Sequence, residues 1–422
     1  MVDRLLQRLP AEPRRTLVLL GAVALAAALF RLPGLGYPVE EYFDEVYHAK
    51  TALQYLRGEP PTEWVHPPTA KLLIAVGVAA FGYEPWAWRL APALAGTLLA
   101  PVFFLLARRA LATERAALLA TLLLLLDGVF LVQSRVAMTN VFAVLFQLLS
   151  ALQVLRAATA DRLRLRPMAG LGLALGLALS TRWTSLWAWG FIGLVFLALR
   201  RGRAFRPREL ALGVFAFFVL PAAVYLLSYV PWMRQGHSVG EVVDLQRAIW
   251  AYHAHLNATH TYFSPWWTWP WLYRPTWYFW WSGDGWVRGI VALGNPAIWW
   301  ASVPVSIWAV ATGVRWRDWR RVFAGAGFFL LYLPWGLSPR TLNFSHYLFE
   351  AIPYACLALG ILLDRAWDGR HPLLARGYVV LAAALFLLFL PFLTAIPVPA
   401  DFWNYRFRWL GGGIWIWLPT WV

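Results

Sequence analysis

A chain of 422 residues that is 60% hydrophobic and only 14% charged, with 28 tryptophans, cannot bury its apolar surface in one water-soluble core. The formal charge of +16 invites a nucleic-acid partner, but most of the 37 Lys and Arg lie in short segments on one side of the apolar runs, where they set topology and contact anionic lipid headgroups. Nucleic acid is therefore excluded as a partner, and so is an intramolecular disulfide, because Cys356 is the single cysteine.

The apolar runs recur at about 17–25 residues and lack the alternation of a barrel, which predicts an all-α polytopic membrane protein. Four arginines precede the first run, about 16–32, and no small-residue cleavage site follows before Arg31-Leu-Pro-Gly. An uncleaved first helix with its N-terminus in the cytoplasm is expected. The segment 33–85 reads as an outer catalytic loop with interfacial helices; it holds Asp44 and Glu45. Within it, 67–82 is apolar but short and is interrupted by Lys71. If 67–82 spanned, every later arginine cluster would invert to the outside, so it is expected to lie in the interface or to re-enter.

Helices are then predicted at about 86–107, 116–134, 136–157, 167–181, 183–199 and 210–230, with arginine clusters at alternate ends. The long outer loop 231–288 contains ten of the 28 tryptophans, and indole rings favour the headgroup layer. It is expected to lie on the membrane as an aromatic platform. Helices at about 289–312, 322–337, 346–363 and 374–396 complete eleven spans, with the C-terminus outside. No internal repeat or low-complexity linker is present, so residues 1–422 read as a single domain.

The polar residues that topology does not explain gather on the outer side: Asp44, Glu45, His66, Arg135, Arg182, His253, His260, Arg340 and His346. Ionisable groups at spans are costly and point to function. Asp127, deeper in a predicted helix, reads instead as one half of a structural pair, with a neighbouring arginine as the expected partner. The two adjacent acids are compatible with a base, a metal site or interfacial decoration. Neighbouring helical side chains diverge by about 100°, so only one of them faces a site squarely. One carboxylate suffices for direct displacement at a sugar carbon, where it takes the proton of the incoming hydroxyl. A phosphate leaving group needs cations rather than a general acid. A lone arginine at a helix end is commonly a snorkelling cap, but three on the cation-poor side favour an anion site. Asp44, Glu45, His66, His253 and His260 could converge on a metal, yet neither HExxH nor tight ligand spacing is present.

The stretches Tyr42-Phe-Asp-Glu-Val-Tyr-His48 and His66-Pro-Pro-Thr-Ala-Lys-Leu-Leu73 resemble the first outer loop of protein O-mannosyltransferases. Further stretches agree in order, among them Gln133-Ser-Arg135, Thr181-Arg-Trp-Thr184, Thr259-His-Thr-Tyr-Phe-Ser264, Trp267-Thr-Trp-Pro270, Gly294-Asn-Pro296, Pro339-Arg340 and His346-Tyr347. The resemblance implies the glycosyltransferase-C fold and inverting transfer of mannose from polyprenyl-phosphate mannose to Ser/Thr of secreted or membrane proteins. It implies Asp44 as base and Glu45 as its catalytic neighbour, with Arg135, Arg182, Arg340 and His346 at the donor phosphate. His66, His253, His260, Trp267 and Asn295 would line the substrate site. No cofactor or metal is expected, and EDTA treatment addresses metal dependence. The setting implied is the plasma (inner) membrane of a prokaryote, with the site on the outer face, in contact with membrane lipids and in association with the secretion machinery. Arg182 stands where the family usually has Lys, and Asn140 where it usually has Asp. The loop 231–288 is too short for the MIR domain of eukaryotic members. A related enzyme using a lipid or glycan acceptor is the alternative; a transporter would need paired, interrupted helices in two related halves, and none is seen.

Overall fold

The computed structural model describes residues 13–369 and 371–402. Among the described residues, six helices are long and apolar enough to cross a bilayer: Pro13–Arg31, Pro85–Ala110, Asn140–Ala158, Pro207–Ser228, Pro296–Trp316 and Pro372–Phe389. In chain order the principal helices are α1 (Pro13–Arg31), α2 (Glu45–Arg57), α3 (Thr69–Phe81), α4 (Pro85–Ala110), α5 (Glu114–Leu125) and α6 (Gly128–Gln133). There follow α7 (Asn140–Ala158), α8 (Leu165–Leu179), α9 (Ser185–Arg200), α10 (Pro207–Ser228, with a π turn at Phe215–Val219) and α11 (Val239–His255). The last four are α12 (Pro296–Trp316), α13 (Trp319–Tyr332), α14 (Ile352–Trp367) and α15 (Pro372–Phe389).

The centre of the bundle is α7, most of whose side chains are buried; it packs against α4, α8 and α9. Helices meet closely where glycine removes a side chain, which is how spans associate when lipid is as apolar as leucine. A Cβ at Gly176 would lie 2.6 Å from Val224 Cβ, and one at Gly77 would lie 2.3 Å from the carbonyl oxygen of Ala87. The second contact clamps α3 onto α4. At the arginine-rich end, Arg115 Nε donates to Asp364 (2.6 Å), tying α5 to α14, and Arg200 pairs with Glu209 (3.1 Å).

Three expectations are corrected. The predicted helix 116–134 breaks at Asp127, whose carboxylate caps α6 through Phe130 N (2.9 Å) and also accepts from Asn295 N (3.2 Å) and Trp299 Nε1 (2.7 Å). Its partners are amide and indole N–H groups in place of the arginine expected. The loop 231–288 contains the helix α11, started by a Ser238/Glu241 capping box. The fold is also not wholly helical. Strands β1 (Thr276–Gly283) and β2 (Trp286–Ala292) form an antiparallel hairpin, and β3 (Val398–Pro399) pairs with β2. Its two-residue turn, Asp284-Gly285, has φ of 51° and 75°, the left-handed pair that Asp-Gly favours. That dipeptide was a legible hairpin signal, hidden by reading the surrounding aromatic residues as a membrane platform. The tail beyond 402, including the expected outer C-terminus, lies outside the described residues.

Candidate active site

The acidic loop before α2 is folded by one arginine from a neighbouring span. Arg89 on α4 donates to the backbone oxygens of Leu35 (2.9 Å), Pro38 (2.6 Å) and Glu40 (2.9 Å). It then grips the Glu45 carboxylate at both oxygens, Nε to Oε1 at 2.9 Å and Nη2 to Oε2 at 2.7 Å. Glu45 also accepts from Ala137 N (3.0 Å) and Trp88 Nε1 (3.3 Å), and it is fully buried. All its acceptor capacity is spent inside the protein, so Glu45 does not reach the substrate chamber. Between the two faces of the loop, Phe43 holds a left-handed φ of 53°, a costly conformation for a bulky residue. Stacking on Tyr278 (centroids 3.9 Å apart) supports it. This turn sends Tyr42 and Glu45 inward and leaves Phe43 and Asp44 on the wall of a cavity.

That cavity has a volume of about 580 Å³ and is lined by Asp44, His48, Glu63, His66, Asn140, Arg182, His253, His260 and Arg340, among others. Its residues come from the acidic loop, α2, the 62–66 loop, the start of α7, the 180–184 turn, α11 with the 256–260 segment after it, and the 339–347 segment. The backbone oxygen of Asp44 accepts from Tyr47 N and His48 N (3.1 Å each), but its carboxylate has no hydrogen-bond or ion-pair partner among the described residues. Burial, with the charge of Glu63 nearby, pushes its carboxyl up to about 6, against the pull of Arg182 and Arg340. The result is an available carboxylate whose proton affinity suits base catalysis near neutral pH.

Two arginines supply the positive wall. Arg182 lies over the Tyr347 ring (4.6 Å) with Glu350 3.7 Å from its Nε. Glu350, itself buried, is held by Thr184 Oγ1 (2.6 Å) and Gln147 Nε2 (2.9 Å). Arg340 is oriented by His253, which is held neutral, its proton affinity pushed down to about 4 by burial and by His66 and Arg340. His253 donates Nε2–H to Val65 O (2.9 Å), leaving Nδ1 to accept from Arg340 Nη1 (3.4 Å). A second, mainly apolar groove of about 230 Å³ opens beside the chamber between Trp183, Leu186, Trp187, Trp250, Trp335 and Leu337. His66, Arg182, His253 and Arg340 line both spaces.

The remaining expected site residues are placed elsewhere. Arg135 turns away from the chamber and donates to the backbone oxygens of Phe30 (3.2 Å), Arg31 (2.9 Å), Pro33 (2.7 Å) and Gly34 (3.2 Å), capping the end of α1. Its guanidinium is thereby spent on backbone carbonyls at the end of α1 and in the turn that follows. His346 sits behind the wall, stacked on Phe344 and 3.4 Å from Thr276 Oγ1. Asn295 caps α12 and bridges Leu126 O (2.9 Å) and Ala382 O (2.8 Å). Trp267 is 60% exposed and outside the chamber. Sequence reasoning missed Arg89, Glu350, Glu63 and Lys71 as site supports. Each is an ionisable residue in or beside an apolar run, which was the available signal. Among the described residues, no three His, Cys, Asp or Glu side chains gather as a metal-binding group.

The sequence matches the family model described as dolichyl-phosphate-mannose-protein mannosyltransferase over residues 21–88 and 84–233. It matches the C-terminal four TMM region of protein-O-mannosyltransferase over residues 238–412. A polyprenol-phosphate-mannose–protein mannosyltransferase of Mycolicibacterium smegmatis is 30% identical over 94% of this chain and 92% of its own. Its namesake from Mycobacterium tuberculosis is 28% identical over 98% and 93%. Among solved structures, the S. cerevisiae protein O-mannosyltransferase Pmt1–Pmt2 complex bound to the sugar donor superposes with a TM-score of 0.79 at 14% identity, over 93% of this chain and 92% of that one. ArnT from Cupriavidus metallidurans bound to undecaprenyl phosphate gives 0.57 at 18% identity, over 96% and 74%. At these identities the likeness is one of fold, and the neighbours are glycosyltransferase-C membrane proteins.

Proposed function

The chain belongs to the dolichyl-phosphate-mannose–protein mannosyltransferase family and is a glycosyltransferase, and from that premise we propose that it moves mannose from polyprenyl-phosphate mannose to Ser/Thr hydroxyls of translocated proteins. The observation that carries this reading is one chamber holding an unpaired carboxylate, Asp44, and two arginines that also border an apolar groove. The polyprenyl chain enters the groove between Trp187, Trp250 and Leu337, and its phosphate rests on Arg182 and Arg340. Both cations are positioned before substrate arrives, by Glu350 and by His253.

In the reaction, Asp44 removes the proton from the acceptor hydroxyl as its oxygen attacks the anomeric carbon. The bond from that carbon to the phosphate oxygen breaks, and the electron pair leaves on polyprenyl phosphate, whose growing negative charge the arginines stabilise. One displacement inverts the anomeric centre. No group protonates the leaving phosphate. Glu45 acts without touching substrate: through Arg89 and Ala137 it holds the loop that aims Asp44.

We assign eleven spans, α5 with α6 counting as one, with α2 and α3 lying at the outer surface beside the chamber. The N-terminus is cytoplasmic and the C-terminus outside. Arg108, Arg115, Arg200 and Arg317 stand at the end of the bundle away from Asp44, which supports a site on the outer face of a prokaryotic plasma membrane, where proteins emerge from the secretion machinery. The test is transfer of labelled mannose from its polyprenyl-phosphate carrier to a Ser/Thr peptide, with an EDTA arm. Absence of labelled peptide from active membranes refutes the reading.

A further inference from the structure

The 63–66 segment is built around a charge that the reaction does not use. Lys71, fully buried on α3, pairs with the Glu63 carboxylate and donates to Glu63 O (3.0 Å) and His66 O (2.7 Å). All three ammonium protons are thereby spent on this one loop. Glu63 Oε1 in turn accepts from both His66 N (3.0 Å) and His66 Nδ1 (2.7 Å). Burial opposes the charge of Glu63, but Lys71 and His66 overcome it and keep the carboxylate ionised. Burial also keeps the His66 ring neutral.

A neutral imidazole that donates through Nδ1 presents Nε2 as an acceptor only. The ring is fixed edge-on between His48 (5.8 Å) and His253 (5.4 Å), and Nε2 has no partner among the described residues. His66 borders the chamber and the apolar groove beside Arg182 and Arg340. A phosphodiester carries acceptors only and cannot bond to this nitrogen. The acceptor hydroxyl gives its proton to Asp44. The group left to donate is a hydroxyl of the sugar, which is joined directly to the phosphate.

Resting on the transferase reading above, we propose that His66 Nε2 accepts a hydrogen bond from one hydroxyl of the donor sugar, with Glu63 and Lys71 as the residues that fix its tautomer and direction. His66 is then a specificity-determining contact, and the Lys71–Glu63 pair is its positioning support.

A donor-by-variant cycle tests this. Wild type, H66F and H66Q are assayed with polyprenyl-phosphate mannose and with its 2-, 3-, 4- and 6-deoxy analogues, reading kcat/KM. Phe keeps the ring between His48 and His253 but removes the acceptor; Gln retains an acceptor oxygen. The expected result is a wild-type loss of about tenfold on one deoxy donor, the size of one hydrogen bond. H66F loses about as much with the full donor and nothing further with that analogue, and H66Q recovers part of the rate with the full donor alone. Stabilisation of H66F by undecaprenyl phosphate, which has no sugar, stays at the wild-type value. If the losses from H66F and from each deoxy position simply multiply, His66 contacts no sugar hydroxyl and the proposal is overturned. A wild type inactive with every donor overturns the transferase reading instead.

Discussion

Replacing Asp44 by Asn separates chemistry from folding more cleanly than any other change in this protein. The substitution keeps the shape and removes one charge that makes no hydrogen bond or ion pair among the described residues. Ionising Asp44 in the folded protein is disfavoured, since burial lifts its proton affinity from 3.8 to about 6. The sign follows directly: the folded state binds this proton more tightly than the unfolded chain, so the charge costs stability as pH rises through 6 and costs nothing below the unfolded value. At about 1.4 kcal/mol per tenfold, the cost at pH 7.5 is about 3 kcal/mol at most, less because water in the chamber screens it. D44N is therefore expected to unfold in detergent at the same temperature as wild type or higher. Transfer should nevertheless fall by about 10²–10⁴-fold, the usual contribution of a general base and equivalent to about 3–5 kcal/mol of barrier. The assay is labelled mannose transfer from polyprenyl-phosphate mannose to a Ser/Thr peptide at several pH values. Wild-type kcat/KM should drop about tenfold per pH unit below about 6, where Asp44 becomes protonated, and D44N should lack that limb. Retention of more than about a tenth of wild-type transfer by D44N, or an acid limb that survives the substitution, would refute Asp44 as the base.

Glu45 gives the opposite pattern from its neighbour. E45A leaves the Arg89 guanidinium buried without its carboxylate and should cost about 3–5 kcal/mol, seen as a lower unfolding temperature and as proteolysis of the 33–45 loop. R182A and R340A should each raise the KM for the donor by about tenfold to a hundredfold, as expected for losing a charge-assisted bond of about 1.5–3 kcal/mol to phosphate. R182K should restore only part of that affinity, because an ammonium lacks the planar fork that stacks on Tyr347, and titration with undecaprenyl phosphate measures it. N295A removes the cap of α12 and two bonds to backbone carbonyls outside the chamber lining. It should lower the unfolding temperature while leaving the donor KM of the folded fraction unchanged; a changed KM would return Asn295 to the substrate wall.

The candidate site was legible as a set of residue types and only partly as a place. Asp44, His66, Arg182, His253, His260 and Arg340 were all named from position and chemistry, and all line one chamber. Glu45, Arg135, His346 and Asn295 carried the same signal, polar residues at the ends of apolar runs, yet each is turned inward. The difference lies in the backbone groups that happen to be nearby. Arg135 meets the open end of α1, Asn295 the open start of α12, and Glu45 an arginine from α4 that is 44 residues away in sequence. Unpaired carbonyls, N–H groups and buried charges cannot be left unsatisfied away from water, so these side chains are drawn to them.

What the sequence determined by itself is everything that depends on the solvent. Apolar run lengths set most of the helices. The short, lysine-interrupted 67–82 segment became the 13-residue helix Thr69–Phe81, with Lys71 buried against Glu63. Tertiary structure alone decided what depends on distance between remote segments: that Asp127 breaks a helix to meet Asn295 and Trp299, and that residues 398–399 join the Asp-Gly hairpin as a third strand. It decided as well that a left-handed Phe43 separates two adjacent acids, one toward Arg89 and one toward the chamber. Partitioning into lipid is additive along a chain and can be read from it, whereas the pairing of a buried polar group is set by whichever partner the fold brings within about 3 Å.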